Sequence, residues 1–302
     1  MKNFLVAAIF LASGTIFAQF ANPLPTPKAN CLNCSVTQVG PALGARGAAV
    51  NTSIINQTGH MNDASAVQTG SGNLSTIDQD GQNQGFAGGL SNEATVYQQG
   101  RKNESDIKQH GDNNTGFVNQ VGVKNYAQQD VGVGWAENNR AYAYQTGRKN
   151  TSIQKQRHDN NTAIVAQSGR RNFAHQDQST GTNGAPGSVA GILQVGNDNK
   201  AKQKQRGSFN ADGIAQFGNG NMASSTQAGN GGLNISGLLQ SGNDNKACVD
   251  QKAATGINLS LIGQFGAENS ASVMQDAQGS GNASFIGQSG YKNNACVEQT
   301  GL

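Results

Sequence analysis

The sequence predicts an all-β chain folded as a β-solenoid, in which two-strand β-arches stack as rungs with cross-β spacing. A seven-residue unit, Asn-x-(Ala/Ser)-x-x-x-Gln, recurs 21 times between Asn51 and Gln299, mostly 11 residues apart. Within each unit the residue type alternates with a period of two, and every longer spacing precedes an even-numbered unit. A unit this short cannot bury a core alone, so its copies must stack on one another.

The alternation within the unit defines one buried face. Counting from Asn at position 0 to Gln at position 6, position 2 is small and position 4 is usually aliphatic, whereas odd positions vary. This pattern is typical of a strand with one face in the core. Rungs stacked about 4.8 Å apart would bring equivalent Asn and Gln residues together as amide ladders. The predicted ladder residues include Asn62, Gln68, Asn73, Gln79, Asn92, Gln98, Asn103, Gln109, Asn282, Gln288, Asn293 and Gln299.

The connections between units predict two strands per rung. Most strands are followed by x-Gly-x-x, as in Thr69-Gly70-Ser71-Gly72, where glycine supplies the positive φ of a tight turn. The longer spacings precede only the units that begin at Asn92, Asn139, Ser188, Asn234, Asn258 and Asn282, which are all even-numbered. All insertions therefore fall on one edge if two units make a rung. This predicts ten rungs, a rod roughly 50 Å long, and a cap in which 51–57 pairs with Ser35–Gln38.

The N-terminus has the features of a secretory signal peptide. A basic start at Lys2 precedes an apolar run from Phe4 to Phe17 and a small residue at Ala18. We therefore expect residues 1–18 to be removed on export, the alternative being a buried N-terminal helix. No later apolar stretch approaches the roughly 20 residues of a membrane helix. Residues 51–302 form the predicted repeat domain.

Composition limits the possible classes of protein. With 35% hydrophobic and 13% charged residues, the chain has less apolar material than a compact core of this size normally uses. Such a composition alone would indicate disorder, but disordered tracts do not keep register over 21 units. The net charge of +3 is too small to imply a nucleic-acid partner by itself.

The cysteines and histidines show no pattern of a catalytic or metal site. His60, His110, His158 and His175 have no paired nucleophile, and no Cys/His spacing resembles a zinc site. We therefore predict no enzyme, no cofactor and no metal. Cys31 and Cys34 could close a small loop. Cys248 and Cys296 fall two rungs, about 9.6 Å, apart, beyond the roughly 7 Å that a disulfide spans, which leaves free thiols or an intersubunit bond.

The repeat resembles that of the curlin family. The segment Asn92-x-Ala94-x-x-x-Gln98-x-Gly100-x-x-Asn103-x-Ser105-x-x-x-Gln109 is similar to the curlin pattern Ser-x5-Gln-x-Gly-x-x-Asn-x-Ala-x3-Gln. The chain has mostly Asn where the family has Ser. It also carries about ten such repeats, whereas five are usual. The resemblance covers about 240 of the 302 residues.

The resemblance implies a function that composition alone does not. Curlins are extracellular functional-amyloid subunits of Gram-negative bacteria that polymerise into cell-surface fibres for adhesion and biofilm matrix. By similarity, the partners of this chain are further copies of itself, a curli-type outer-membrane secretion channel and a nucleator. Residues 19–50 would be a flexible secretion and cap segment, whose Pro23, Pro25 and Pro27 cannot join a ladder.

Polar residues interrupt the predicted core at two kinds of position. Position 4 is polar at Gln129, Gln154, Gln176, Gln203 and Ser225. Each glutamine either slows aggregation or simply joins an amide ladder, and we favour the ladder. The acidic residue at position 2, Asp212, is predicted to act as a brake on aggregation, because a buried carboxylate is costly.

The tight-turn edge predicts a second possible function. Four consecutive rungs place basic residues there, namely Arg101, Lys102, Lys124, Arg148, Lys149, Arg170 and Arg171. Such a stripe could bind an anionic polymer such as extracellular DNA or acidic polysaccharide. It could equally be a solvated edge that prevents sideways association. The alternative to a fibre subunit is therefore a monomeric or fibre-tip adhesin or nucleator that binds anionic polymers through this edge.

Overall fold

The computed structural model describes residues 35–39, 50–59, 61–81, 92–133, 136–181, 185–229 and 231–301. These residues form 22 β-strands and no helix. The odd-numbered strands build one 11-stranded parallel sheet and the even-numbered strands build another. The predicted all-β solenoid is confirmed.

The two sheets are defined by their strands. The first sheet contains β1 (Ser35–Val39), β3 (Asp63–Ser71), β5 (Glu93–Arg101), β7 (Thr115–Val123), β9 (Arg140–Arg148), β11 (Thr162–Arg170), β13 (Val189–Asn197), β15 (Asn210–Asn219), β17 (Leu233–Asn243), β19 (Ile257–Ala267) and β21 (Asn282–Tyr291). The second sheet contains β2 (Thr52–Gly59), β4 (Leu74–Gly81), β6 (Glu104–His110), β8 (Tyr126–Val133), β10 (Thr151–Arg157), β12 (Phe173–Ser179), β14 (Lys200–Arg206), β16 (Met222–Gly229), β18 (Lys246–Ala253), β20 (Ser270–Ala277) and β22 (Asn294–Gly301).

Each rung consists of one strand from each sheet. Rungs are numbered from β1/β2, the first, to β21/β22, the eleventh. Successive rungs stack in register, so that Gln68 aligns with Gln98 and Gln79 aligns with Gln109. The first rung is the predicted cap, because β1 pairs with β3 and aligns Gln38 with Gln68.

The two edges of the solenoid differ as predicted. A tight turn joins the two strands within a rung, as between Arg101 and Glu104. Connections from one rung to the next leave and enter at the opposite edge, and the strands that flank each of the six insertions end and begin there. Parts of these longer connections, including 82–91 and 182–184, lie outside the described residues.

Inward-facing side chains of both sheets form the core. Position 2 contributes small residues, such as Ala94 and Ala141, that let the sheets approach closely. Position 4 contributes larger side chains, such as Ile107 and Leu238. Two apolar clusters result, one from Ala64 to Ala143 and one from Val165 to Ile286.

The tight turns combine two left-handed residues. Gly147 has φ 115°, and a Cβ there would lie 2.0 Å from the carbonyl oxygen of Gly169 in the next rung. Glycine is therefore required, as the sequence predicted. Two residues later Lys149 also has a positive φ, 58°. The sequence did not predict this second position, because lysine shows no preference for it.

Several predictions concern residues outside the described ranges. The signal peptide at 1–18, the segment from Gln19 to Cys34 with its two cysteines, and His60 all lie there. The structure tests none of them.

Candidate functional site: amide ladders and the basic turn edge

An asparagine ladder runs along each edge of the core. The main-chain nitrogen and the Nδ2 of Asn73 both donate to Oδ1 of Asn51 in the preceding rung, at 3.0 and 3.2 Å. Asn73 Nδ2 also donates to the carbonyl of Gly100, at 3.1 Å. Asn293 repeats the bonds to the preceding rung on Asn269 at the other end of the rod. The ladder asparagine therefore hydrogen-bonds its rung to the preceding rung and also donates to the carbonyl of a turn glycine.

Glutamine ladders run in the opposite direction. Gln68 Nε2 donates to Gln98 Oε1 in the next rung at 2.7 Å and to the carbonyl of Thr52 at 3.0 Å. In the first sheet this ladder continues through every rung as far as Gln288. Side-chain amides thus donate towards the C-terminal end along the glutamines and towards the N-terminal end along the asparagines.

The structure places the predicted ladder residues in these rows. Eleven of them form a hydrogen bond between side-chain amides of neighbouring rungs, namely Asn62, Gln68, Asn73, Gln79, Asn92, Gln98, Gln109, Asn282, Gln288, Asn293 and Gln299. The twelfth, Asn103, is linked through main-chain groups: its N–H donates to Oδ1 of Asn73, and its Oδ1 accepts from the N–H of Asn125. Most of the ladder residues are completely buried, and those of the eleventh rung are more exposed because no rung covers them.

The ladder of the second sheet is interrupted once, where Val131 replaces glutamine. Gln109 cannot donate to valine, and its Nε2 instead bonds the carbonyls of Glu93 and Asn114, at 2.8 and 3.0 Å. On the other side, Oε1 of Gln156 is buried without a hydrogen bond from any described residue. A gap in a ladder therefore leaves one amide oxygen unsatisfied.

A third ladder, the glutamine belt, lies at the centre of the core. It consists of Gln129, Gln154, Gln176 and Gln203, linked from Nε2 to Oε1 at 2.8, 3.0 and 2.8 Å. Each Nε2 also donates to a carbonyl of the facing sheet, such as Phe117 at 3.0 Å. These glutamines join a ladder, the outcome that the sequence favoured.

Asp212 lies beside the C-terminal end of the belt. Gln203 aligns with Ser225 in the next rung, so the ladder stops there. Asp212 is 1% exposed; its Oδ1 accepts a hydrogen bond from Ser236, and its Oδ2 has no hydrogen-bond partner among the described residues. Burial raises the pKa of Asp212 to about 6, although the nearby Ser236, Ser225 and Gln203 lower it.

The sequence singled out Asp212 and the polar Ser225, but it did not predict that Ser225 and Ser236 lie beside Asp212. Ser236 is the residue aligned with Asp212 in the next rung, and Ser225 lies close enough for its hydroxyl to contact that of Ser236 at 2.9 Å. The rung assignment contained the signal for Ser236, because it fixes which residues align at position 2, but it contained none for Ser225, which belongs to the other sheet. The serines supply hydroxyl groups where an aliphatic residue would leave the carboxylate with fewer neighbouring dipoles.

The basic turn edge is defined by the seven predicted residues Arg101, Lys102, Lys124, Arg148, Lys149, Arg170 and Arg171. The strand register stacks Arg101, Val123, Arg148 and Arg170 in consecutive rungs. Arg171 forms a bidentate ion pair with Asp198 of the next rung, with both contacts at 2.6 Å, and it lowers the pKa of that carboxyl. The other six form no ion pair with any residue that the structure describes. A depression of about 170 Å³ lies between the basic side chains of the fifth and sixth rungs.

The remaining candidate groups are dispersed. Cys248 and Cys296 are free and exposed. His110, His158 and His175 lie at a strand end, in a turn and on an outer face. Within the described ranges, no three metal-ligating side chains cluster, and no helix long and apolar enough to cross a membrane occurs.

Comparison with known proteins identifies the repeat. The family model of the curlin associated repeat matches residues 89–122. Residues 89–122 therefore carry a curlin associated repeat. The matched segment includes β5, β6 and most of β7, and the same Asn and Gln positions recur in the other rungs. A search of curated proteins finds no match to the chain.

Proposed function

We propose that this protein is a structural subunit of an extracellular, curli-like amyloid fibre that grows by head-to-tail addition of further copies. The observation that carries the proposal is that both sheets end in unprotected strands. β21 pairs only with β19, and β22 pairs only with β20, among the described strands. Natural proteins normally cover or distort such edges.

The ladders give the eleventh rung a chemistry that fits another copy. Gln288 and Gln299 each accept a hydrogen bond from the preceding rung. Gln288 also donates to the carbonyl of Ser270 in the tenth rung at 2.9 Å, and Gln299 donates to the carbonyl of Ala283 in its own rung at 3.0 Å. Their remaining N–H groups face the place of a next rung. At the other end, Gln57 is the first glutamine of its ladder and donates to Gln79. At the C-terminal end the ladder glutamines therefore present N–H donors and the ladder asparagines present Oδ1 acceptors, in the directions that continue both ladders into a further copy.

Main-chain groups of the last strand also favour growth. Ser270 N–H donates to the carbonyl of Asn293, the residue before β22. Because parallel pairing alternates between the two sides of a strand, the N–H groups of Asn294, Cys296 and Glu298 face the open side. They would extend the second sheet across the boundary between subunits.

Fibre formation tests the proposal directly. The chain without residues 1–18 should form concentration-dependent, thioflavin-positive fibres with a cross-β reflection at about 4.7 Å. A protein that stays soluble and monomeric for days at tens of micromolar would instead support the adhesin.

A matched pair of variants locates growth at the C-terminal end. Glu298→Pro removes one N–H that faces the next copy and should slow elongation at least tenfold without unfolding the rod. Glu298→Ala removes the same side chain but keeps the N–H, and it should elongate like the parent. Equal elongation rates for the two variants would place growth elsewhere.

The extracellular location depends on the N-terminus. We propose that residues 1–18 direct export and that the fibre assembles outside a Gram-negative cell, with a curli-type channel and nucleator as partners. N-terminal sequencing of protein recovered from the medium should then begin at Gln19. Full-length protein retained inside the cell would contradict export.

A second candidate function rests on the basic turn edge. Six neighbouring cations without ion pairs repel one another in four consecutive rungs, and an anionic polymer such as DNA or an acidic polysaccharide would relieve that repulsion. This binding is compatible with a fibre subunit as well as with a monomeric or fibre-tip adhesin.

Charge-matched variants test the edge. Replacement of Arg101, Lys102, Lys124, Arg148, Lys149 and Arg170 by Gln should abolish salt-sensitive DNA retention. Replacement of Lys200, Lys202, Lys204, Arg206, Lys246 and Lys252 removes the same charge elsewhere and should reduce retention much less. Equal losses of DNA retention in the two variants would indicate non-specific attraction. Unchanged retention in the first variant would exclude the basic turn edge as the binding site.

A further inference from the structure

The two outer faces of the rod differ in charge. On the first sheet, from β11 to β21, no charged side chain projects outwards between the ladder asparagine and the turn glycine. Large apolar residues occupy much of this face, and Val189, Ile257, Phe265 and Phe285 are 46%, 55%, 48% and 64% exposed. The outer face of the second sheet carries many charges, including the three lysines of β14. A charge-free sheet face of this kind marks an interaction surface.

Glycines form a regular pattern on this face. In the seventh, eighth and ninth rungs, Gly191, Gly213 and Gly237 occupy outward position 3 and stack in register. In the tenth and eleventh rungs, Gly263 and Gly287 occupy outward position 5 instead. No atom lies within 4 Å of the place where a Cβ would project at Gly191 or Gly213. At Gly263 and Gly287 the atoms nearest to that place belong to the rings of Phe265 and Phe285, at 3.6 and 3.5 Å. The glycines therefore form grooves in two adjacent columns, open at Gly191 and Gly213 and flanked by a phenyl ring at Gly263 and Gly287.

Each glycine has a larger residue at the other position of its rung. Leu193, Ala215 and Leu239 occupy position 5 in the seventh to ninth rungs, and Leu261 and Phe285 occupy position 3 in the tenth and eleventh. The glycine and the larger residue thus exchange columns between the ninth and the tenth rung. Each of the five rungs has one glycine and one larger residue at positions 3 and 5.

We propose that this face binds the same face of a second copy of the chain, so that two rods pair side by side. A two-fold axis parallel to the rod and passing between positions 3 and 5 places position 3 of one copy opposite position 5 of the other. Every glycine then faces the larger residue of the equivalent rung in its partner. Sheets about 10 Å apart interdigitate in this way in steric zippers.

The most accessible contacts lie in the last three rungs. Leu193 and Leu261 are only 3% and 9% exposed, whereas Leu239 is half-buried and Phe285 projects well into solvent. Phe285 facing the groove at Gly287 is therefore the largest single contact that the arrangement predicts. Phenylalanine and glycine alternate there along one strand.

The area of the face is sufficient for a specific interface. Six rungs at about 4.8 Å and seven residues at about 3.3 Å give roughly 650 Å² on each copy, or about 1,300 Å² in total. This lies at the small end of specific protein interfaces, so isolated pairs would be weak. Successive subunits of a fibre would add their areas. The lateral contact uses the side of the rod, so it does not depend on head-to-tail growth at the ends.

Mass per length tests the pairing. In fibres of the chain without residues 1–18, which retains every described residue, scanning transmission electron microscopy should give two chains per subunit repeat. Phe285→Lys should halve this value, because pairing would bury the new charge. Met274→Lys, at a 52% exposed residue of the opposite face, should leave it unchanged. One chain per repeat in the parent, or two in Phe285→Lys, would overturn the proposal.

Cysteine cross-linking tests the two-fold axis independently of fibre width. With all four native cysteines replaced by Ser, a mixture of Gly237→Cys and Leu239→Cys chains should form disulfide dimers that neither variant forms alone. Dimers of Leu239→Cys alone would indicate an axis across the rod and would contradict the proposed arrangement. If no fibres form, sedimentation of the same sample still measures pairing, and a strict monomer at tens of micromolar would also overturn it.

Discussion

The glutamine ladder of the first sheet and the glutamine belt in the core use the same hydrogen bond but end differently. The ladder from Gln68 to Gln288 continues to the last rung, where another copy can take the next bond. The belt from Gln129 to Gln203 begins and ends inside the rod. Oε1 of Gln129 is buried without a partner among the described residues, and the other end meets Ser225 beside Asp212. An amide ladder is thus stable along its length and costly wherever it stops.

The largest expected effect comes from breaking the belt in its middle. Gln176→Met conserves volume but leaves the N–H of Gln154 and the Oε1 of Gln203 without their ladder partners. We expect a loss of about 3 kcal/mol in the free energy of unfolding, because two buried polar groups lose their partners. Urea unfolding of freshly diluted monomer measures this loss.

Two related variants separate a broken ladder from an altered core. Gln129→Met should cost about 1 kcal/mol less than Gln176→Met, since Oε1 of Gln129 already lacks a partner and only one neighbour is affected. Replacement of all four belt glutamines by Met should change the free energy by less than about 1 kcal/mol, because no amide remains unpaired. If the loss of stability in the four-Met variant equalled the sum of the losses in the four single variants, the explanation by broken amide pairs would be contradicted.

Asp212 should make stability depend on pH. Its folded-state pKa of about 6 exceeds the ordinary value of 3.8, so between these values the folded chain holds a proton that the unfolded chain has released. The free energy of unfolding should therefore be highest below about pH 4, fall by up to roughly 3 kcal/mol as pH rises to 6, and then remain constant.

The matched controls concern two aspartates. Asp212→Asn should remove the fall between pH 4 and 6 and stabilise the chain at pH 7. Asp198→Asn should retain the fall, because Arg171 lowers the pKa of Asp198 and this exposed pair has little effect on stability. A parent protein that becomes more stable between pH 4 and 6 would show that Asp212 is not the dominant group.

The smallest effect on unfolding is expected at the open end of the rod. Gln299→Met removes a donor to the carbonyl of Ala283, but Gln299 is only partly buried and no rung follows it. Its cost should be below about 1 kcal/mol. Elongation of fibres should nevertheless slow, because the next copy loses an amide donor. An unfolding cost equal to that of Gln176→Met would mean that the eleventh rung is not open.

The ladders could be predicted from the sequence because Asn at position 0 and Gln at position 6 recur, whatever residues stand between them. The parity of the insertions predicted two strands per rung, and both sheets confirm it. The direction in which the amides donate was not predictable, since an Asn or Gln side chain can donate either way. The positive φ of Lys149 was missed because it depends on the stacked turns rather than on lysine itself.

The charge-free outer face was missed for a different reason. The sequence pattern defines odd positions as outward without separating the two sheets, and charged outward residues such as Glu104, Lys108 and Lys200 belong to the second sheet. Sorting outward residues by alternate units would have separated the two faces, because the alternate units already defined the sheets. The surroundings of Asp212 required more, since Ser225 belongs to the opposite sheet and contacts between sheets do not follow from register alone.

The central claim is that the end rungs of two copies stack as the internal rungs do. Cryo-electron microscopy of fibres grown from the chain without residues 1–18 tests it most directly. We expect uninterrupted parallel sheets across every subunit boundary, with the first rung of one copy on the eleventh rung of the next and an axial repeat of about 53 Å for eleven rungs. Fibres whose subunits meet through another surface, or whose sheets are interrupted at the boundary, would contradict it.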